Sequence, residues 1–375
     1  TCSKPAFSVF FTVFSGVLLS ANLVSMKGGR VSTRQNMMSA AVTATAPVIV
    51  FDLLFISILR KTYLYKFMIK SVNYVRLMVY NDYYRKKCRK EYIDDMREID
   101  VSLVRDKIRD LCIEANHYLS EDTKTCIMQK AEEETWPVAR DILSSIQENI
   151  SIAEEGVFPL CQDTGMACVF LEIGQDVHFT GGSIEEAVHE GVRRGYGEGY
   201  LRKSIVEDPL RRVNTGDNTP AYINYDIVPG DKLKIAVAPK GFGSENMSQI
   251  KMLPPSAGEK GVKDFVVDVC SSAGANPCPP IVVGVGIGGT FDKAALMAKK
   301  ALLVPADKQN DDPYYAAMED ELLERINRLG IGPQGFGGKT TALAVRIIAA
   351  PTHIAGLPVA VNINCHVSRH KEAII

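Results

Sequence analysis

Apolar residues at Val101, Val104, Ile108, Leu111, Cys112, Ala115 and Leu119 recur at helical spacing, with polar positions between them. The spacing predicts an amphipathic helix over 98–119, with Cys112 on its buried face. A second helix is predicted over 121–135, and Pro137 opens a third as a first-turn proline. After Ile152 the period shortens. Residues 167–179 alternate as a strand with a Gly174-Gln175-Asp176 turn, and Ser183 followed by Glu186 is a capping-box pattern for a helix to about residue 200. Residues 221–228 and 232–238 flank Pro229-Gly230-Asp231 and read as a hairpin. Strands are predicted over 281–287, 341–349 and 358–364, and helices over 291–303 and 313–329. The pattern is mixed α/β of the α+β kind, a helical N-terminal part packed on mixed sheets. No repeat or linker interrupts 96–375, which reads as one compact unit large enough for a substantial core.

Residues 1–95 break this pattern. An uncharged Phe/Val/Leu-rich run covers 5–26, and a second, interrupted by Asp52, covers 41–59; either is long enough to suggest a membrane span or a signal. Lys/Arg clusters at 60–70 and 85–90 fit a cytoplasmic flank. Composition separates the segment further. It holds 14 Lys+Arg against 5 Asp+Glu, whereas the remainder holds 29 against 39, so the formal net charge of −1 is a cancellation. The competing reading takes 1–95 as a basic, apolar leader foreign to the native protein, with translation starting at Met96. On that reading the working protein is cytoplasmic, and membrane association through residues 5–59 is the alternative.

Nine cysteines in 375 residues are too sparse for a disulfide scaffold, and an odd number cannot pair fully. Thiols or metal ligands are expected instead. The acidic remainder supplies no basic stripe, which excludes a nucleic-acid partner there. Gly284-Val-Gly286-Ile-Gly288-Gly289 imitates a dinucleotide fingerprint but lacks a clear βαβ unit. Gly338-Lys339-Thr340 imitates the end of a P-loop, yet Pro333 stands where that pattern needs glycine. Both runs are better explained by tight turns and close backbone approach. Lys240-Gly241-Phe242-Gly243-Ser244-Glu245-Asn246 follows a predicted strand and offers amides, the Ser244 hydroxyl and the Asn246 carboxamide to an anion such as a carboxylate.

Cys161, Cys278 and Cys365 each occupy an irregular stretch at the edge of a predicted element. Cys112, Cys126, Cys168 and Cys270 sit in regular apolar patterns and read as buried small hydrophobes. Spacing alone leaves the group on the first three open: an iron–sulfur cluster, a structural zinc, or ordinary turn cysteines.

The strings CQDTG at 161–165, VNTGDNTPA at 213–221, KGFGSEN at 240–246, SSAGANPCPP at 271–280, GVGIGGTFDKAA at 284–295, GPQGFGGKTTALAV at 332–345 and HIAGLPVAVNINCH at 353–366 resemble the α subunit of class I, iron–sulfur-dependent fumarate hydratase. The L-tartrate dehydratase α subunit shares that pattern. The resemblance runs from about Met96 to Ile375 and implies the α-subunit fold of a [4Fe–4S] hydro-lyase. It implies that Cys161, Cys278 and Cys365 ligate a [4Fe–4S] cluster, leaving one iron open as a Lewis acid. It also places substrate contacts at Gln162, Asp163, Arg202, Gly243 and His353, with Asp163 and His353 the candidate catalytic groups and His366 a further candidate beside Cys365. The implied reaction interconverts (S)-malate and fumarate plus water; the alternative is dehydration of L-tartrate to oxaloacetate. A separate β subunit is expected to complete the site in an α2β2 assembly acting on a small dicarboxylate. A metal-stabilised, non-catalytic binding protein is the reading from a different class.

Overall fold

The computed structural model of the chain describes residues 46–93 and 96–375. The chain divides into two compact units, Thr1–Cys88 and Arg89–Ile375. Helix α1 (Ala46–Ile93) mixes aliphatic, aromatic and basic residues, and Tyr63, Phe67 and Val75 are exposed on it. Among the described residues no helix is long and apolar enough to cross a membrane. The 5–26 run lies outside the described residues, as does the start of the 41–59 run.

The second unit opens with β1 (Arg97–Asp100), which the periodicity alone merges into the following helix. Asp100 ends that strand and caps α2 (Val101–His117), its side chain accepting from the Ser102 amide at 2.8 Å. Helices α3 (Glu121–Glu133) and α4 (Pro137–Glu154) follow, with Pro137 in the first turn as expected. Strand β2 (Met166–Gly174) and β3 (Val177–Thr180) are not one strand folded back: β3 leaves to pair in parallel with β1. Ser183 caps α5 (Ile184–Glu198) through the Glu186 amide.

The expected 221–238 hairpin is not formed. Strands β4 (Tyr222–Val228) and β5 (Leu233–Lys240) lie on opposite sides of β2, parallel and antiparallel to it respectively. The reason lies at the turn: Gly174 and Asp176 donate their amides to the Lys232 and Gly230 carbonyls, so the end of β2 is wedged between the two strands. Gly174 permits this approach, since a Cβ there would stand 2.3 Å from the Gly230 oxygen. With β10 (Lys371–Ile374) on its outer edge, the first sheet runs β10-β5-β2-β4.

A one-turn helix α6 (Phe242–Glu245), strand β6 (Gln249–Leu253) and helix α7 (Gly258–Ala273) lead to the second sheet. Its centre is β7 (Ile281–Gly289), followed by α8 (Phe291–Ala301), α9 (Pro313–Asn327), β8 (Ala342–Thr352) and β9 (Leu357–Asn364) in the order β6-β9-β7-β8.

Alternation along the strands assigns each face. Val169 and Leu171 of β2 pack with Ile108, Cys112, Val188 and Val192 of α2 and α5. Cys168 and Phe170, on the opposite face, meet Leu296 of α8 and Leu303 just beyond it. Val283 and Val285 of β7 pack under α7 and α9, while Gly284 and Gly286 face α8. Helix α8 therefore lies between two sheets, and the glycines make that possible: a Cβ on Gly284 would stand 2.2 Å from the Ala298 oxygen, and one on Gly286 2.1 Å from the Ala294 oxygen. The fingerprint-like glycines serve helix–sheet packing.

Replacing Gly286 by alanine forces α8 off the sheet and is expected to lower the unfolding free energy by about 1–3 kcal/mol. Gly197→Ala, exposed in α5 with open space where its Cβ would go, is expected to raise it by about 0.4–1 kcal/mol. Urea denaturation of both variants checks the pair.

Candidate active site

Strand direction decides what meets at each end of the second sheet. Cys278 precedes β7 and Cys365 follows the antiparallel β9, so both fall at the same end, where Val282 pairs with Asn364. The His366 amide and Nδ1 lie 3.3 and 3.0 Å from the Cys278 carbonyl oxygen, stitching the two loops together. Cys278 takes φ 53, a left-handed conformation unusual for a side chain of its size. Gln334, also left-handed, steadies that loop by donating its amide (2.8 Å) and Nε2 (2.9 Å) to the Pro279 carbonyl.

Cys161 joins from the start of β2. Both it and Cys365 pack against the apolar cluster that includes Leu160, Leu343 and Val367, and the Asp163 amide approaches the Cys161 sulfur at 3.4 Å. Burial pushes the Cys278 and Cys365 thiols up, and Cys161 adds to both shifts; Arg369 and Lys240 act on Cys365 in the opposite direction. The structural cysteines differ: burial alone drives Cys112 and Cys270 to about 12.

Asp163 is the hub. Its Oδ1 accepts from the Gly165 amide at 3.1 Å, and Oδ2 accepts from the Phe242 amide at 2.9 Å. Its backbone carbonyl accepts from Arg369. Next to it, Thr164 donates its hydroxyl to the Arg202 carbonyl at 3.0 Å, which brings the Arg202 backbone to the CQDTG turn; the Arg202 side chain is exposed. Gln162 and Asn246 are exposed, and Gly243 borders the Asn276 carbonyl in the Cys278 loop. Ser244 is buried and occupied, accepting from Lys240 Nζ at 3.0 Å and donating to the Gly241 carbonyl.

His353 is elsewhere. It precedes β9, so the length of that strand, about 26 Å at 3.3 Å per residue, separates it from Cys365. There it caps its own turn, accepting from the Ala355 amide at 3.1 Å.

Sequence reasoning missed the groups beneath the site. Lys240, 5% exposed, donates to the Ile363 carbonyl at 2.8 Å and lies 3.2 Å from Glu245, tying the 240–246 loop to the strand that ends at Cys365. Burial lowers the pKa of this ammonium, with Glu245 acting in opposition. A lysine closing an apolar strand is a signal the sequence does carry. Arg369 is buried four residues after Cys365, and its Nε and Nη1 have no partner. Tyr196 and Asn218, both fully buried, hold the Thr164 and Gly165 carbonyls.

Among the described residues no three His, Cys, Asp or Glu side chains converge as the ligands of one metal ion do. A group with several metal centres, each taking one thiolate, would not require the three thiols to converge on a single point. The buried cations Lys240 and Arg369, the latter with unpaired donors, match the negative charge such a thiolate-held group carries.

The chain is thus a mixed α/β fold in which the Cys278 and Cys365 loops meet at one end of a sheet and Asp163 ties the turn after Cys161 to the 240–246 loop. The sequence model of the fumarate hydratase (Fumerase) family matches residues 105–374. A Methanocaldococcus jannaschii protein named "Putative L(+)-tartrate dehydratase subunit alpha" is 44% identical over 272 residues, covering 71% of this chain and 95% of its own. The L(+)-tartrate dehydratase subunit alpha of Escherichia coli O157:H7 is 33% identical over 261 residues, covering 68% of this chain and 86% of its own. The chain belongs to the fumarate hydratase family, as a hydro-lyase of α-subunit type.

The P-loop-like run also finds its use here. Glu134, 1% exposed, accepts from the Thr135, Trp136 and Lys339 amides at 2.8–2.9 Å, so a carboxylate of the chain itself occupies an amide of this run, that of Lys339. Burial pushes this carboxyl up, but the amides outweigh it and leave it below its ordinary value. The contribution to stability is therefore full above the unfolded-state value, about 4.3, and is lost as pH falls through the folded-state one. Glu134→Gln is expected to cost about 1.5–3 kcal/mol at pH 7, with the urea midpoints of variant and wild type drawing together as pH falls below the unfolded-state value.

Proposed function

We propose that the chain is the α subunit of a [4Fe–4S] hydro-lyase that interconverts (S)-malate with fumarate and water. The joining of the Cys278 and Cys365 loops at one end of the second sheet, with Asp163 tying the turn after Cys161 to the 240–246 loop, supports this reading. Cys161, Cys278 and Cys365 hold the cluster, which when bound supplies a Lewis-acidic iron that makes the substrate hydroxyl a better leaving group.

The chain's own residues bind and orient the substrate. Arg202, anchored through its backbone and free at its guanidinium, receives a carboxylate in a bidentate pair. The turn at Gly243 and the exposed Gln162 and Asn246 line the same side with amide groups. Asp163, fixed by two amide donors, takes the proton from the carbon next to the hydroxyl-bearing one. Ser244 acts through Lys240 and holds the loop. His353, the other candidate catalytic group, stands a strand's length from Cys365 of its own chain.

Such a site lies open on its loop side, and a separate β subunit, in keeping with the α-subunit names of the relatives, completes it in an α2β2 assembly. The relatives' names favour a second reading, in which the same groups dehydrate L-tartrate to oxaloacetate.

Purified anaerobically, the chain is expected to be brown and to contain iron and acid-labile sulfide, and serine at Cys161, Cys278 or Cys365 is expected to remove most of both. A colourless wild-type chain carrying zinc defeats the reading. Assayed with its β subunit, the enzyme is expected to show a higher kcat/KM for malate than for L-tartrate; the reverse order selects the second reading. Full turnover by the α chain alone overturns the shared site.

A further inference from the structure

Arg369 plays no part in the chemistry above, yet it is 4% exposed and sits between the two halves of the site. One nitrogen, Nη2, donates to the Asp163 carbonyl. Nε and Nη1 are buried without a partner. A void of about 10 Å³, room for one water molecule, adjoins it, lined also by Lys240, Lys299, Asn364 and Cys168.

The charges around that void do not balance. Lys240 and Lys299 share one carboxylate, Glu245, at 3.2 and 2.6 Å. Among the described residues Arg369 makes no ion pair. An isolated buried guanidinium is costly unless an anion or water faces it. The anion that fits is the one the preceding reading places on Cys161, Cys278 and Cys365, and Arg369 is tied by the chain to the last of these.

We propose that Arg369 is a positioning residue with two separable effects. Its Nη2 clamps the Asp163 peptide through the carbonyl, and its charge offsets the negative charge of the thiolate-held cluster. The second effect rests on the reading under Proposed function; the first does not.

Arg369→Lys and Arg369→Gln in the full chain separate the two. Lysine keeps the charge but its shorter side chain ends before the Nη2 position that reaches the Asp163 carbonyl; glutamine is shorter still and lacks the charge. In the chain without cluster, amide hydrogen exchange in peptides covering 161–166 is expected to speed up about tenfold in both variants, as the clamp is lost. Exchange at the wild-type rate in both overturns the clamp. In the anaerobically reconstituted chain, the cluster's reduction potential is expected to move to a more negative value in Arg369→Gln and to stay near wild type in Arg369→Lys, because removing a nearby positive charge disfavours adding an electron. An unchanged potential in Arg369→Gln overturns the charge role. Should Arg369→Gln fail to fold, Arg369→Lys decides: faster exchange with a wild-type potential supports the proposal, and wild-type exchange or a shifted potential overturns it. A wild-type chain that binds no iron or sulfide sinks the preceding reading and the charge role with it, while exchange still tests the clamp.

Discussion

The Asp163 side chain accepts from its own turn at Gly165 and from Phe242 in the next loop, and its carbonyl accepts from Arg369 near the C-terminus. Three segments separated by tens to hundreds of residues are thereby held at one point. The approach is close enough to dictate residue type. Gly165 takes φ +75 against the Lys240 backbone, where a Cβ would stand 2.7 Å from the carbonyl carbon. The register of β2 on β5, which pairs Met166 with Lys240, delivers those two segments to the same place. The position of Cys161 relative to the 240–246 loop thus follows from sheet register, and the carboxylate locks it.

What could be read along the chain was what is local. The helix over 101–117 carries its buried face in sequence and the helix over 184–198 its Ser183 cap, and the cysteines at element edges stood apart from those in regular apolar runs because periodicity is a local property. Topology was not legible. The Pro229-Gly230-Asp231 turn looks like a hairpin turn, and only the apolar strand β2, buried on both faces and earlier in the chain, pushes its flanking strands apart. Four-residue strands such as β1 and β10 are too short for alternation to register.

His353 shows the same limit at the level of the site. It shares one motif with Cys365, twelve positions on, and the two look like neighbours. Between them lies an extended strand, the conformation that carries the chain farthest per residue, so nearness in sequence becomes separation in space. Conversely, Cys278 and Cys365 are distant in sequence and adjacent in space because β7 and β9 run in opposite directions. A constellation inferred from motifs needs strand direction before it becomes a site.

The glycine run 284–289 connects packing to chemistry. Gly284 and Gly286 let α8 settle onto β7 at backbone contact, and that depth fixes where Lys299, on the last turn of α8, emerges. Lys299 holds Glu245 at 2.6 Å, Glu245 accepts from Asn362 at 2.8 Å and lies 3.2 Å from Lys240, and Lys240 donates to the Ile363 carbonyl at 2.8 Å, two residues before Cys365. Each link is a direct contact between buried or half-buried groups, where displacement leaves a charge without its partner. A methyl group on β7 would therefore be felt at the cysteine end as a change in the charge beneath it. The glycines look like a nucleotide fingerprint because both uses require backbone to come close to something; here the partner is the chain's own helix.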